Sequence, residues 1–208
     1  MSLYGRLFAA AYDSIMAGTE KAGLAARRGS LLAGASGRVL EIGGGTGANL
    51  PFYGPEVDEV VITEPEEPMA RKLEAKLGAS ARPVRVVRAR AEELPFERES
   101  FDFAVSTLVL CTVADPERSL GEIRRVLKPG GQLLFLEHVR ADDERLARWQ
   151  DRLHGPWFWF GHGCNCNRPT LETLEQAGFA ISSLERARLP KAPPIVRPMI
   201  LGAAAPLG

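Results

Sequence analysis

No stretch of about 18 consecutive apolar residues occurs in this 208-residue chain, so no membrane-spanning helix is expected. Charge of one sign is not in excess. Lysine plus arginine number 26, aspartate plus glutamate 26, and the pI is near 6.9. A chain that works on a phosphate backbone usually carries a basic surplus, so nucleic acid is not an expected partner. Cysteine is scarce: Cys111, Cys164 and Cys166 are an odd set, too few for a disulfide framework, and a reducing, cytoplasmic setting is expected. The opening MSLYGRLFAAAYDSIMAG contains Arg6 and Asp13 and lacks a cleavage motif, so no signal peptide is read. Internal repeats and low-complexity tracts are absent. What is present, 45% hydrophobic and 25% charged residues, is the composition of one folded domain with a sizeable core.

Short apolar runs alternate with helical spacing. RVLEI (38–42), VVIT (60–63), VRVVR (84–88), FDFAVST (101–107) and QLLFLE (132–137) read as strands, and 46–53, 66–77 and 116–126 as helices. That alternation predicts an α/β domain: a mostly parallel sheet with helices on both faces. Asp115-Pro116 is a helix start, and Lys128-Pro129-Gly130-Gly131 a helix stop with a turn. Upstream, Leu3, Leu7, Phe8, Ala11, Tyr12 and Ile15 keep a helical spacing, Gly18-Thr19 punctuates it, and a second helix runs over 20–32. Downstream, an irregular stretch after 140 precedes a helix at 169–177 and strands at 180–188 and 196–204. Pro198 places the last strand near a sheet edge.

The strongest local signal is Glu41-Ile42-Gly43-Gly44-Gly45-Thr46-Gly47-Ala48-Asn49, after one strand and opening the next helix. Glycine lets backbone approach a ligand closely, and a helix N-terminus offers free N–H groups. Gly43, Gly45 and Ala48 satisfy a dinucleotide fingerprint, with the acid Glu64 about 20 residues on, so a dinucleotide oxidoreductase is one reading. Glu41 favours another. A carboxylate before the first glycine repels a pyrophosphate and attracts an ammonium or sulfonium. S-adenosylmethionine carries both cations and no phosphate, and it is the expected cofactor.

VLEIGGGTGANL (39–50), VVITEPEEPMAR (60–71), ARAEELPFERESFDFAV (89–105) and EIRRVLKPGGQLLFLEHV (122–139) resemble the successive motifs of class I S-adenosylmethionine-dependent methyltransferases. STLVLCTVADPERSL, LEHV, Trp149-Gln150, GCNCNR and a final VRP resemble more narrowly the membrane-associated alkyl thiol methyltransferases of the methyltransferase-like group and their bacterial relatives. The resemblance implies a Rossmann-like seven-stranded sheet whose last strand is antiparallel. It implies one domain over 1–208: a helical lid (1–34), a cofactor core (35–140), a substrate lid (141–168) and a closing helix and strands (169–208). The cofactor is then held at Glu41, Gly43, Gly44, Gly45, Thr46, Gly47, Asn49 and Leu50, with Glu64 on the ribose hydroxyls and Pro65 and Met69 beside the adenine. Arg90, Ala91 and Glu92 follow. Arg90 stands where many family members carry an aspartate for the adenine amino group, so backbone at Ala91 is expected to serve. Ser106, Thr107 and Leu108 close the site beside the methyl group. Those thiol methyltransferases carry a membrane-inserting N-terminal helix; here the short amphipathic start is expected to lid the pocket, with surface contact with lipid as the alternative.

All three tryptophans and all three histidines lie within 138–162, followed at once by Cys164 and Cys166. An aromatic wall suits an apolar acceptor and excludes water. Trp149, His154, Trp157, Trp159, Cys164 and Arg168, with Tyr4 and Tyr12, are the candidate acceptor residues; packing of the lid is the alternative for the aromatics, and a local cap or ion pair for Arg168. His138 is the candidate base and Cys111 a second catalytic candidate, against structural roles for both. His162-Gly163-Cys164-Asn165-Cys166 offers only alternate positions, so no metal site is expected. The expected function is methyl transfer to a small, fairly apolar acceptor. An aliphatic thiol comes first and a phospholipid amine or quinone-like ring second; a cofactor-binding module without catalysis is the remaining alternative.

Overall fold

The computed structural model describes residues 3–207. Seven strands form one sheet: β1 (Gly37–Ile42), β2 (Val57–Thr63), β3 (Val84–Val87), β4 (Phe101–Thr107), β5 (Leu127–His138), β6 (Phe179–Arg188) and β7 (Pro198–Pro206). Their spatial order is β3-β2-β1-β4-β5-β7-β6. β1 through β5 pair in parallel, and β7 runs antiparallel to both β5 and β6. The expected Rossmann-like sheet with an antiparallel last strand is the one observed. Strand order reverses between β1 and β4, and in open α/β sheets ligands bind at the carboxyl ends beside such a reversal.

Alternation along the strands splits the core in two. Leu40 and Ile42 join Phe101, Phe135 and Phe179 on one face, against Leu120, Ile123 and Val126 of α4 (Pro116–Val126). Val39, Val60 and Ile62 join Leu134 on the other, against Leu32 of α2 (Ala25–Leu32) and Leu73 of α3 (Glu67–Lys76). The expected cap of α4 is present: Asp115 Oδ1 accepts from the Arg118 N–H at 2.9 Å, with Pro116 in the first turn. No helix among the described residues is long and apolar enough to cross a membrane.

Four local expectations are corrected. The segment after the glycine turn is a series of turns with one 3-10 turn at Leu50–Phe52, not a helix, because three glycines take left-handed angles and Pro51 follows. In the N-terminal pair, α1 (Leu3–Thr19) runs through Gly18, and the break falls at Gly23, whose φ is 131°. β7 is an interior strand. Pro198 is tolerated because it is the first residue of that strand, where its carbonyl accepts from the Val139 N–H at 3.1 Å. The stretch after 140 is not irregular: α5 (Glu144–Phe160) spans 17 residues and is capped by Asp143. A last helix, α6, covers Thr170–Gln176.

Gln150 holds α5 in place. It is fully buried, its Nε2 donates to the carbonyls of Val139, Cys166 and Ile195 at 2.8–3.1 Å, and its Oε1 accepts from the Ala141 N–H at 2.8 Å. Four backbone groups from three segments therefore depend on one amide. Gln150→Ala should destabilise the fold by on the order of 3 kcal/mol or more, because buried polar groups lose their partners. Urea unfolding monitored by circular dichroism checks this; a change under about 1 kcal/mol would show that water replaces the amide.

Candidate active site

β1 ends at Ile42, and the chain bends through Gly43 and Gly45, each with φ 56°. A Cβ on Gly45 would meet no atom within 4 Å, so this backbone faces open space. A Cβ on Gly44 would lie 2.2 Å from Ile62 Cγ2, so that glycine allows the turn to rest on β2. Glu64, just past β2, braces the bend from the far side. Its Oε2 accepts from the Gly45 N–H and its Oε1 from the Glu66 N–H, both at 2.8 Å. Burial raises its carboxyl pKa against the pull of those two amides. Gly43, Gly45 and Glu64 line a cavity of about 1220 Å³, together with Pro65, Met69, Arg90, Ala91, Glu92 and Leu108.

The other expected cofactor residues lie beneath this wall. Glu41 is 2% exposed; its Oε1 accepts from Asn49 Nδ2 at 3.0 Å and its Oε2 from the Tyr53 hydroxyl at 2.6 Å. Asn49 Nδ2 also donates to Thr107 Oγ1, and Arg28 Nη1 donates to both Asn49 Oδ1 and Thr107 Oγ1, each at 2.9 Å. Glu41 therefore stands behind the bend with its oxygens occupied, and the direct ligand contact expected of it is corrected to support of the turn. Thr46 donates to Asp13 of α1 at 2.5 Å, Gly47 packs on Leu50 and Leu73, and the Ser106 hydroxyl donates to Glu137 at 2.6 Å. Gly44, Thr46, Gly47, Asn49, Leu50, Ser106 and Thr107 are accordingly a layer under the cavity rather than its wall. Arg90 turns to Glu92, 3.7 Å away, while Glu92 Oε1 accepts from the N–H groups of Ala114 and Asp115. The β4 end is then set by Leu108, with φ 61° and its N–H on the Leu136 carbonyl at 2.7 Å.

Across the cavity stands an apolar and aromatic wall. Tyr4, Phe8, Tyr12 and Met16 of α1 line it with Trp157 and Phe160 of α5 and with His162. His162 stacks on Phe8 with centroids 4.7 Å apart, and the Tyr4 hydroxyl donates to the carbonyls of Trp159 and Phe160. Four expected acceptor residues point elsewhere. Trp149 lies on the outer surface of α5 under the Arg152 guanidinium. Trp159 is 68% exposed and stacks on the outside of Tyr4. His154 bonds Asn165 Oδ1 at 2.8 Å. Arg168 donates to the carbonyls of Leu110 and Val113. The helical period of α5 turns only part of its aromatic set inward, which composition could not reveal. Phe8, His162 and Arg28 were missed. For the first two the only signal was helix and loop geometry; for Arg28 it was a lone basic residue on an otherwise inward face.

At the floor of this wall three side chains converge. Cys164 Sγ lies 3.5 Å and Cys111 Sγ 3.9 Å from His138 Nδ1, and all three lie on the cavity lining. Hydrogen bonding from Cys111, then from His138, pulls the Cys164 thiol down to about 4, while the same sulfur contact and burial push Cys111 up. His138 Nε2 is buried without a protein partner. Asn165 fixes the arrangement: its backbone N–H and Nδ2 both donate to the Cys111 carbonyl, at 2.8 and 3.0 Å.

The network under the turn yields a pH signature. Burial raises the Glu41 carboxyl from 4.5 to about 7, against the pull of Tyr53, Arg28 and Asn49. A raised acid binds its proton more tightly in the folded chain, so its contribution is complete below pH 4.5 and is lost as pH rises through 7. The loss is on the order of 3 kcal/mol. Glu41→Gln should remove that component. Unfolding free energies of both proteins across this range should converge or cross as pH rises, and parallel profiles would refute the assignment.

Comparison with known proteins agrees with this geometry. The family described as "Methyltransferase domain" matches residues 40–135. The chain is 39% identical over 179 residues to human thiol S-methyltransferase TMT1A, covering 83% of this chain and 72% of that one. It is 41% identical over 180 residues to human thiol S-methyltransferase TMT1B, covering 83% and 73%. It is also 35% identical over 156 residues to a phosphatidylethanolamine N-methyltransferase of Cereibacter sphaeroides, covering 71% and 76%. A Thermotoga maritima methyltransferase structure shares the fold with a TM-score of 0.69 over 98% of this chain and 97% of that one, at 24% identity. The chain belongs to the class I S-adenosylmethionine-dependent methyltransferases, with S-adenosylmethionine as its cofactor.

Proposed function

We propose that this methyltransferase acts on the sulfur of a small, apolar thiol. The observation that carries the reading is the cluster of Cys111, His138 and Cys164 set into the floor of an otherwise apolar wall. Identity near 40% to human thiol S-methyltransferases supports it.

The residues fit the cofactor. Gly45 leaves open space where any other residue would place a Cβ. Glu64 is oriented by two amides and keeps lone pairs free for a hydroxyl pair, so it is assigned the ribose. Met69, Ala91 and Leu108 offer apolar contact for the adenine and the methionine chain. Bound there, S-adenosylmethionine supplies an electrophilic methyl group on a sulfonium. The chain's own residues align the acceptor, keep water away and stabilise the sulfur anion. Tyr4, Phe8, Tyr12, Trp157 and Phe160 take the first two tasks, so α1 and the end of α5 act as the lid. The Cys111–His138–Cys164 cluster takes the third. A thiol needs less help than a hydroxyl, because its S–H ionises more readily and its thiolate is a strong nucleophile.

A second reading has one observation in its favour. Leu7, Ile15 and Phe160 line the cavity yet are 61%, 57% and 59% exposed, so its mouth is apolar on the outside. Such a rim suits an acceptor taken from a lipid surface, and a relative that methylates phosphatidylethanolamine supports a phospholipid amine.

Two measurements test these assignments. Methyl transfer to matched panels of aliphatic thiols, phospholipid amines and quinols should favour thiols; turnover of the amine alone would install the second reading, and no turnover with intact cofactor binding would favour a non-catalytic module. Calorimetry with S-adenosylhomocysteine should show Glu64→Ala weakening binding about 10- to 100-fold, or roughly 1–3 kcal/mol. An unchanged Kd would move the ribose elsewhere.

A further inference from the structure

The residues of the cluster come from three separate segments. Cys111 follows β4, His138 ends β5, and Cys164 sits in the loop after α5. All three are buried, and their ligand atoms, two sulfurs and one ring nitrogen, lie within 4.8 Å of one another. Tetrahedral zinc with bonds of about 2.3 Å to sulfur and about 2.0–2.1 Å to nitrogen has edges of about 3.6 Å between sulfur and nitrogen and about 3.8 Å between sulfurs. The observed sulfur–nitrogen separations are 3.5 and 3.9 Å. Two further facts fit an ion. The double bond pair from Asn165 to the Cys111 carbonyl holds two ligand segments together before anything binds. His138 turns Nδ1 toward both sulfurs, and its buried Nε2 has no protein partner.

We propose that Cys111, His138 and Cys164 form a site for a thiophilic divalent cation of the zinc class, with three protein ligands and the fourth position open to the acceptor cavity. Three protein ligands with one open position is the arrangement of a reactive rather than a structural zinc site. The alternate spacing of His162, Cys164 and Cys166 hid it, because Cys166 packs in the core and His162 stacks on Phe8 while the other two ligands arrive from distant strands. The inference rests on the thiolate-stabilising role given to this cluster. An acceptor R–SH taking the fourth position releases its proton to solvent and leaves its sulfur, as thiolate, on the cation.

The test uses the full chain, reduced and freed of metal, then exposed to zinc or to cobalt(II) and dialysed. We expect about one zinc per chain by elemental analysis, and with cobalt the visible and near-ultraviolet bands of thiolate ligation. Cys111→Ser and Cys164→Ser should each weaken binding by more than about 100-fold, whereas Cys166→Ala should retain it. Calorimetry with S-adenosylhomocysteine shows that each variant is folded. Absence of zinc retention and of cobalt–thiolate bands in the unsubstituted protein overturns the site, as does undiminished binding by both serine variants. Thiol methylation by protein shown to be metal-free would overturn the site's role while leaving the thiol reading intact. Zinc retention with turnover of amines only would keep the site and remove the thiol reading.

Discussion

A carboxylate buried beneath a bend of bare backbone is the constraint on which the cofactor site depends. Ordinary secondary structure does not hold the bend: the residues after Gly43 form turns, and a helix does not begin. Glu41 supplies the missing support by receiving Asn49 and Tyr53, and Asn49 passes the connection to Thr107 at the end of β4 and to Arg28 of α2. One network thus joins the end of β1, the turn, the next parallel strand and the N-terminal helices. Burying an acid is costly, and the hydrogen bonds and Arg28 offset the cost only in part, which is why the carboxyl titrates near neutrality. The network positions the wall without forming it.

The two halves of the cavity are made differently. The cofactor half belongs to the sheet, where strand ends are fixed by neighbouring strands on both sides. The half proposed for the acceptor is formed by α1 and the end of α5, which meet through stacked rings and the Tyr4 hydroxyl rather than through a ladder. α1 is in turn tied to the turn and to α3: Asp13 receives Thr46, and Lys72 donates to the Ala10 carbonyl at 3.1 Å. An element anchored by a few polar side chains opens more readily than one anchored by a sheet. A lid that must admit an acceptor and release its product is better built from the first kind of contact.

The legible parts of the sequence were those governed by short-range periodicity. Each short apolar run in β1, β2 and β4 became a strand within a few residues of its expected bounds, and Asp115-Pro116 capped its helix as the pattern implied. The resemblance supplied the antiparallel last strand, since pairing order is not written in any local run. Periodicity failed where rotation about a helix decides the outcome. Trp149 and Trp157 are eight residues apart, which sets them about 80° apart around the helix, and one faces solvent while the other faces the cavity. The glycine segment is instructive in another way. The charge of Glu41 led to the correct cofactor, but the side chain meets Tyr53 and Asn49 beneath the bend rather than lining the cavity. Arg28, which partly balances that charge, lies 13 residues upstream and gave no local sign of where it would fold.

On the proposed thiol reading, the chemistry asks for little conventional catalytic machinery around the cavity. A sulfonium methyl group is already activated, and a thiol becomes nucleophilic through loss of one proton. The remaining need is for a place where a sulfur anion is tolerated within an apolar wall. Parallel pairing of β4 with β5 brings the chain just after one strand beside the last residue of the other, so Cys111 and His138 meet without any loop having to find them. The third member requires a loop, and Asn165 pins it to the Cys111 carbonyl itself. Two soft sulfurs and an imidazole at the carboxyl edge of the sheet lie on the lining of the same cavity as Gly43 and Gly45, the glycines that leave room for the cofactor. The topology that creates a ligand crevice beside the strand reversal therefore also assembles the cluster to which the proposed reading assigns the sulfur anion.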